Sequence, residues 1–249
     1  MLTQPLIVAR KEIRDHLRDT RSLVSSLFYA LMGPLVVGMV AIAMRGEKAS
    51  QVLLSMMSVF ALVAAFVGGM NVAIDSIAGE RERRSLLPLL MNPLLRRDVI
   101  IGKWMAISVF AIAGLALNLA GFALVLKLSL AQALIASLTL IPLAGFAAAL
   151  ELLISTWCGN IKEAHTYLSM VIFLPMGLGM FLVFFPQMAK AWLFLPVAGQ
   201  QLLMESILKG GQLPLVAFTS VTLTTLATAA ALLRTAARLL HRDDVVYGD

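Results

Sequence analysis

Apolar residues dominate the chain in six long runs separated by short polar breaks. Runs at 23–44, 51–78, 99–126, 131–157, 167–185 and 213–233 each hold enough consecutive apolar residues to cross a hydrocarbon core, which takes roughly 20. A weaker stretch, 191–208, is interrupted by Pro196, Gly199, Gln200, Gln201 and Glu205, and reads as one or two short helices at the outer interface. Two polar segments keep a helical pattern of their own. Over 6–22, Leu6, Ile13 and Leu17 recur at helical spacing among Arg10, Lys11, Arg14, Asp15, Arg18 and Asp19. That pattern predicts an amphipathic helix lying in the inner interface. In the loop 79–98, Leu86, Leu89 and Leu90 form one apolar face of a short helix. Pro88 sits where a first helical turn tolerates proline, and Pro93 ends the helix.

The expected fold is therefore an all-α integral membrane protein. It has six transmembrane helices, an N-terminal amphipathic helix (1–22), a short helix in the loop 79–98 and short outer-face helices within 186–212. A single transmembrane domain covers 1–249. Composition agrees: 60% of the 249 residues are hydrophobic and 14% are charged, against about 25% charged in a soluble domain. Pro34, Pro142 and Pro175 fall inside predicted spans and mark bends. No signal peptide is expected: Glu12, Asp15 and Asp19 interrupt the basic N-terminus, and the apolar run behind it is too long for a signal core.

Charge sets the expected orientation. With the N-terminus in the cytoplasm, fifteen Lys and Arg fall on inner segments, and five (Arg45, Lys48, Lys127, Lys190, Lys209) fall on outer ones. The asymmetry predicts both termini inside a cytoplasmic membrane. It also accounts for the net charge of +6 without nucleic acid, and no aromatic-interleaved basic patch is present. One cysteine, Cys158, excludes a disulfide within the chain and a multi-cysteine metal site.

Buried polar positions are the default functional suspects in a membrane domain. Asp75 and Glu151 lie near the inner ends of the second and fourth spans, where ion pairs with Arg81, Arg84 or Lys103 are expected ahead of ion coordination. Asn71, Asn118 and the hydroxyls of the last span read as interhelical hydrogen-bonding groups ahead of a polar path. An intramembrane hydrolase would need a nucleophile, a base and an orienting group. No Gly-x-Ser or His-Glu-x-x-His sequence supplies them. A channel would show a charged ring or filter-like sequence, and none is visible.

The loop between the second and third runs carries the most specific pattern. It reads Asp75-Ser76-Ile77-Ala78-Gly79-Glu80-Arg81-Glu82-Arg83, then Leu86-x-Pro88-Leu89-Leu90, Asn92-Pro93, Arg97 and Gly102-Lys103. This resembles the first cytoplasmic loop of ABC exporter permeases of the ABC-2 type. Lys162-Glu163-Ala164-x-x-Tyr167 resembles the second cytoplasmic loop of the subgroup that includes sodium-extruding permeases. Leu195-Pro196 and the tail Arg242-Asp243-Asp244-Val245-Val246 fit the same subgroup. His165 stands where the subgroup usually has glutamine, and the outer loop near Arg45 to Ser50 is short where many relatives carry a larger module.

The resemblance implies a non-catalytic permease subunit that pairs with a second permease, by symmetry a copy of itself. It also implies two ATP-binding subunits. The N-terminal helix and the loop residues Glu80, Arg81, Glu82, Arg83, Leu86, Pro88, Leu89, Leu90, Asn92, Pro93 and Arg97 would contact the ATPase. No Gly-x-x-x-x-Gly-Lys-Ser/Thr cradle is present, so ATP and Mg are expected on the partner and no cofactor on this chain. The implied cargo is sodium or another small ion. A lipid, peptide or hydrophobic drug is equally compatible with the residues, and a passive channel or scaffold is the remaining alternative.

Overall fold

The computed structural model describes residues 3–44, 47–86, 88, 91, 94–185, 192–211 and 214–241. Among them every regular element is helical. Helix α1 (Thr3–Arg18) meets α2 (Thr20–Ala43) at Asp19, whose carboxylate accepts from the Arg21 and Ser22 amides and so caps α2. Helix α3 (Glu47–Ile74) continues through a π-helical turn, Asp75–Gly79, into a last turn at Glu80–Glu82. Then come α4 (Arg96–Leu126), α5 (Leu130–Trp157), α6 (Ile161–Val171), α7 (Phe173–Phe184), α8 (Ala198–Leu208) and α9 (Leu215–Leu239). Six spans result: α2, α3 with its extension, α4, α5, α6 with α7, and α9.

Three boundaries move well away from their expected places. The second span runs on to Glu82 because its helix continues through the π turn. It ends when Arg84 adopts a left-handed φ of 56°. The Arg84 amide then reaches the Arg81 carbonyl, and the Ser85 amide reaches the Glu80 carbonyl, the paired bonds of a Schellman motif. The fifth span starts at Ile161, where Asn160 Oδ1 accepts from the Glu163 amide at 2.9 Å. It breaks at Ile172, because Pro175 has no N–H to offer Val171 four residues earlier. The last span extends to Leu239. The expected outer-face helix within 191–208 is α8, and it is packed into the bundle: Leu203, Met204, Ile207 and Leu208 are buried, and Gln201 donates to the Gly179 carbonyl of α7 at 2.8 Å. Residues 186–191, the start of the sixth predicted run at Leu213, and the tail motif 242–246 lie outside the described residues.

The centre of the bundle is α3, two-thirds buried along its apolar window, against 22% for α2 and 17% for α9. Where α3 crosses α4, a Cβ on Gly114 would lie 3.0 Å from the Gly68 Cα, so only glycine permits this approach. Neutral hydrogen bonds tie the middle. Pro34 leaves the Ala30 carbonyl of α2 without its helical donor. Asn118 of α4 supplies the replacement, Nδ2 donating to Ala30 O at 2.7 Å. Asn71 of α3 donates to the Ser25 and Ser26 hydroxyls of α2 at 3.0 and 3.3 Å.

Candidate functional site

At the end of the bundle where α3 stops and α4 begins, a charged knot joins three helices. Lys103 of α4 is fully buried. A buried ammonium is tolerated only when its charge is paired and its three protons find acceptors. Lys103 Nζ lies 3.1 Å from Glu12 Oε1 on α1, 2.9 Å from Glu80 Oε1 on the last turn of the α3 extension, and 2.7 Å from the Ser76 carbonyl in the π turn. Lys11, half exposed, adds Nζ contacts of 3.3 Å to Glu12 and 3.6 Å to Glu80. Two cations thus face two carboxylates. Burial by itself would raise the Glu12 pKa, but Lys103 and Lys11 together hold it below the ordinary value. Burial likewise opposes the charge on Lys11, and Glu12 and Glu80 outweigh it, raising that ammonium.

The neighbouring glycine makes the knot possible. A Cβ on Gly102 would lie 2.6 Å from both the Pro5 carbonyl oxygen and Val8 Cβ. Glycine there lets α1 lie directly on α4 and bring Glu12 to Lys103.

The rest of the loop is stitched to the other helices. Arg81 Nη1 and Nη2 donate to the Cys158 and Thr156 carbonyls at 2.6 and 3.0 Å, capping the C-terminal end of α5. Glu82 accepts from the Ile161 amide at 2.8 Å, at the N-terminal end of α6, where negative charge is favoured. Arg83 pairs with Asp75. Arg96 donates to the Leu240 carbonyl just beyond α9. Leu86 is buried among Ile77, Ile100, Leu168 and Leu240. In the second loop Glu163 accepts from the Gly159 amide at 2.8 Å, while Lys162 is exposed.

These placements revise the expected roles. Glu80 and Leu86 do not belong to an outward-facing surface; both point into the bundle. Asp75 finds Arg83, not Arg81, Arg84 or Lys103, because Arg81 is engaged by carbonyls and Lys103 by Glu12 and Glu80. Glu151, 2% exposed, has no ion pair among the described residues, and its Oε2 has no hydrogen-bond partner there. It lies against Gly69, where a Cβ would be 3.2 Å from that oxygen. Met91 and Arg97 are exposed, as is Pro88. Leu89, Leu90, Asn92 and Pro93 lie outside the described residues. On α1 the apolar stripe Leu6, Ile13 and Leu17 is left off the bundle, as an interfacial helix requires, and Pro5, Val8, Ala9 and His16 are the buried residues.

The Lys103–Glu12 pairing was hidden in the sequence. Lys103 sits inside an apolar run and Glu12 inside a basic one, 91 positions apart. The available signal was a lone charge of the wrong kind in each.

The knot holds charge but offers no catalytic constellation. No group of three His, Cys, Asp or Glu side chains suited to a metal occurs among the described residues. Burial, with Glu163 beside it, pushes the Cys158 thiol up to about 11, so the thiol stays protonated and unreactive near neutrality. The base of the loop is thus tied to several helices. Residues 6–245 match the model of the ABC-2 family transporter proteins. The chain belongs to that family. The ABC-2 chain is also 36% identical over 135 residues to the ABC transporter permease protein NatB of Bacillus subtilis (strain 168). That alignment takes in 47% of this chain and 34% of the relative, so the chain matches about a third of that protein's length.

Proposed function

We propose that this ABC-2 chain is the permease subunit of an ATP-driven exporter, docked to a separate ATP-binding subunit through the loop 79–98. The observation that carries the reading is the anchoring of that loop. Its base is tied by Glu80 to α4, by Arg81 to α5 and by Glu82 to α6. A displacement applied at the loop tip is therefore shared by helices on several sides of the bundle. Beyond buried Leu86, the tip sequence from Pro88 to Pro93 carries the proline-bounded leucine pattern suited to a groove in a partner. Both termini then face the cytoplasm, consistent with the basic residues at this end. Two ATP-binding subunits, carrying ATP and Mg, and a second copy of the permease complete the complex.

Sodium or another small cation is the cargo favoured by the resemblance. Glu151 supports it as a buried carboxyl group whose Oε2 has no hydrogen-bond partner among the described residues. A mild-detergent pull-down tests the docking. A stoichiometric ATP-binding subunit should accompany the wild-type chain and be lost with Leu89→Asp. Recovery of the folded chain alone would overturn the exporter reading. In the same purified complex, ATP hydrolysis should rise with sodium and lose that response in Glu151→Gln; hydrolysis indifferent to sodium would remove the cation.

A further inference from the structure

Helix α1 has three faces. One, with Pro5, Val8, Ala9 and His16, is buried against the bundle and sends Glu12 to Lys103. The second is the stripe Leu6, Ile13 and Leu17, whose outer members are 51% and 56% exposed. The third, bordering that stripe on its free side, is Arg10, Arg14 and Arg18, all exposed and without an ion pair among the described residues. Nearby acids do little to neutralise it: Glu12 is held by Lys103, and Asp19 caps α2. Only Asp15 is left exposed on the helix.

We propose that this free side of α1 is a binding site for anionic phospholipid headgroups. Leu6, Ile13 and Leu17 enter the acyl boundary, and Arg10 and Arg14 meet the phosphates. Two observations select a lipid surface over a protein partner. The apolar stripe lies next in the chain to a membrane span, because α2 begins only two residues after α1 ends and exposes Val24, Leu27 and Phe28. Arg10 and Arg14 flank the stripe, with Asp15 further round the helix, the arrangement by which basic side chains extend from an apolar layer to headgroups. The site requires the orientation proposed above only to name the leaflet, which is the cytoplasmic one and carries anionic lipid.

Native mass spectrometry of the detergent-purified chain, titrated with phosphatidylglycerol and with phosphatidylcholine of the same acyl chains, tests it. The wild type should retain phosphatidylglycerol preferentially. Arg10→Gln with Arg14→Gln should reduce that preference on the order of tenfold, and Arg10→Lys with Arg14→Lys should keep most of it. An unchanged preference in the glutamine variant overturns the proposal. So does a glutamine variant that keeps the lipid preference but no longer captures the ATP-binding subunit, since the face would then be a protein interface. The exporter reading fails separately: Leu89→Asp tests subunit capture and leaves this lipid preference intact.

Discussion

The start and the interior of α4 bury polar groups by opposite means. At its start, Lys103 is satisfied by two carboxylates and a carbonyl from other elements, with Lys11 completing the charge balance. Fifteen residues on, Asn118 meets a carbonyl freed by Pro34 with a neutral amide. The charged solution sits at the mouth of the bundle, where half-exposed Lys11 shows that water is near. The neutral one sits at the centre of the span, where ions are most expensive. The difference predicts how each region fails. A broken ion cluster leaves uncompensated charge in the bundle, whereas a broken neutral tie leaves one carbonyl short of a donor.

Lys103→Met is the severest test. It leaves Glu12 and Glu80 facing each other with only Lys11 between. Removing one partner of a buried ion cluster costs about 3–5 kcal/mol. Thermal unfolding in detergent should show a large loss of stability, with α1 the first element to become protease-sensitive. Adding Glu12→Gln and Glu80→Gln to Lys103→Met should recover much of the loss, because the residual charge is removed with its partners. A single variant as stable as wild type would mean that the knot contributes nothing to holding α1.

The middle of the bundle should respond more mildly and in a coupled way. Asn118→Leu removes the donor to Ala30 and should cost about 1 kcal/mol, the usual scale for an interhelical hydrogen bond in a membrane. In a Pro34→Ala background the same change should cost less, since residue 34 then regains an N–H for the Ala30 carbonyl. A double-mutant cycle measures this directly. Additive effects would show that Asn118 serves something other than the carbonyl left by the proline.

How much of this was legible beforehand follows the same division. Period and run length located six spans and the N-terminal helix, since each depends on local sequence. Span ends were missed where a local cap or backbone change intervened, as at Asn160 and the π turn after Ile74. The pattern of the loop marks it as special, but not which of its charged residues turn inward. Nothing local distinguishes Glu80, which turns in to Lys103, from Arg83, which stays exposed. The apolar stripe of α1 fits the expected interfacial helix, but the face it packs on the bundle had no apolar pattern to mark it. That buried face is Pro5, Val8, Ala9 and His16, and Gly102 lets Pro5 and Val8 approach. A hydrophobic pattern reports what avoids water, and in a bilayer that includes the outside.

The smallest effect lies at the junction of α1 and α2. His16 is buried, with its ring centroid 5.5 Å from that of Phe110 and Nε2 3.3 Å from the Ser22 hydroxyl. Burial lowers its pKa; Asp75, Asp19 and Glu12 act in the opposite sense without cancelling it, and Arg83 reinforces it. A base whose pKa falls on folding takes up its proton more readily in the unfolded chain. Its contribution is therefore present above the ordinary histidine value near 6.5 and is lost as pH falls from there towards the lower folded value. Docking of α1 should loosen modestly over that interval. Hydrogen exchange at the backbone of α1 reads it directly, with faster exchange expected at pH about 5.5 than at about 7.5 after correction for intrinsic rates. His16→Phe keeps an aromatic edge against Phe110 and cannot titrate, so it should flatten this part of the profile. An undiminished pH response in that variant would move the titrating group elsewhere. Glu12 cannot imitate it: Lys103 and Lys11 hold its carboxyl below the ordinary value, so its own contribution is lost only under more acidic conditions.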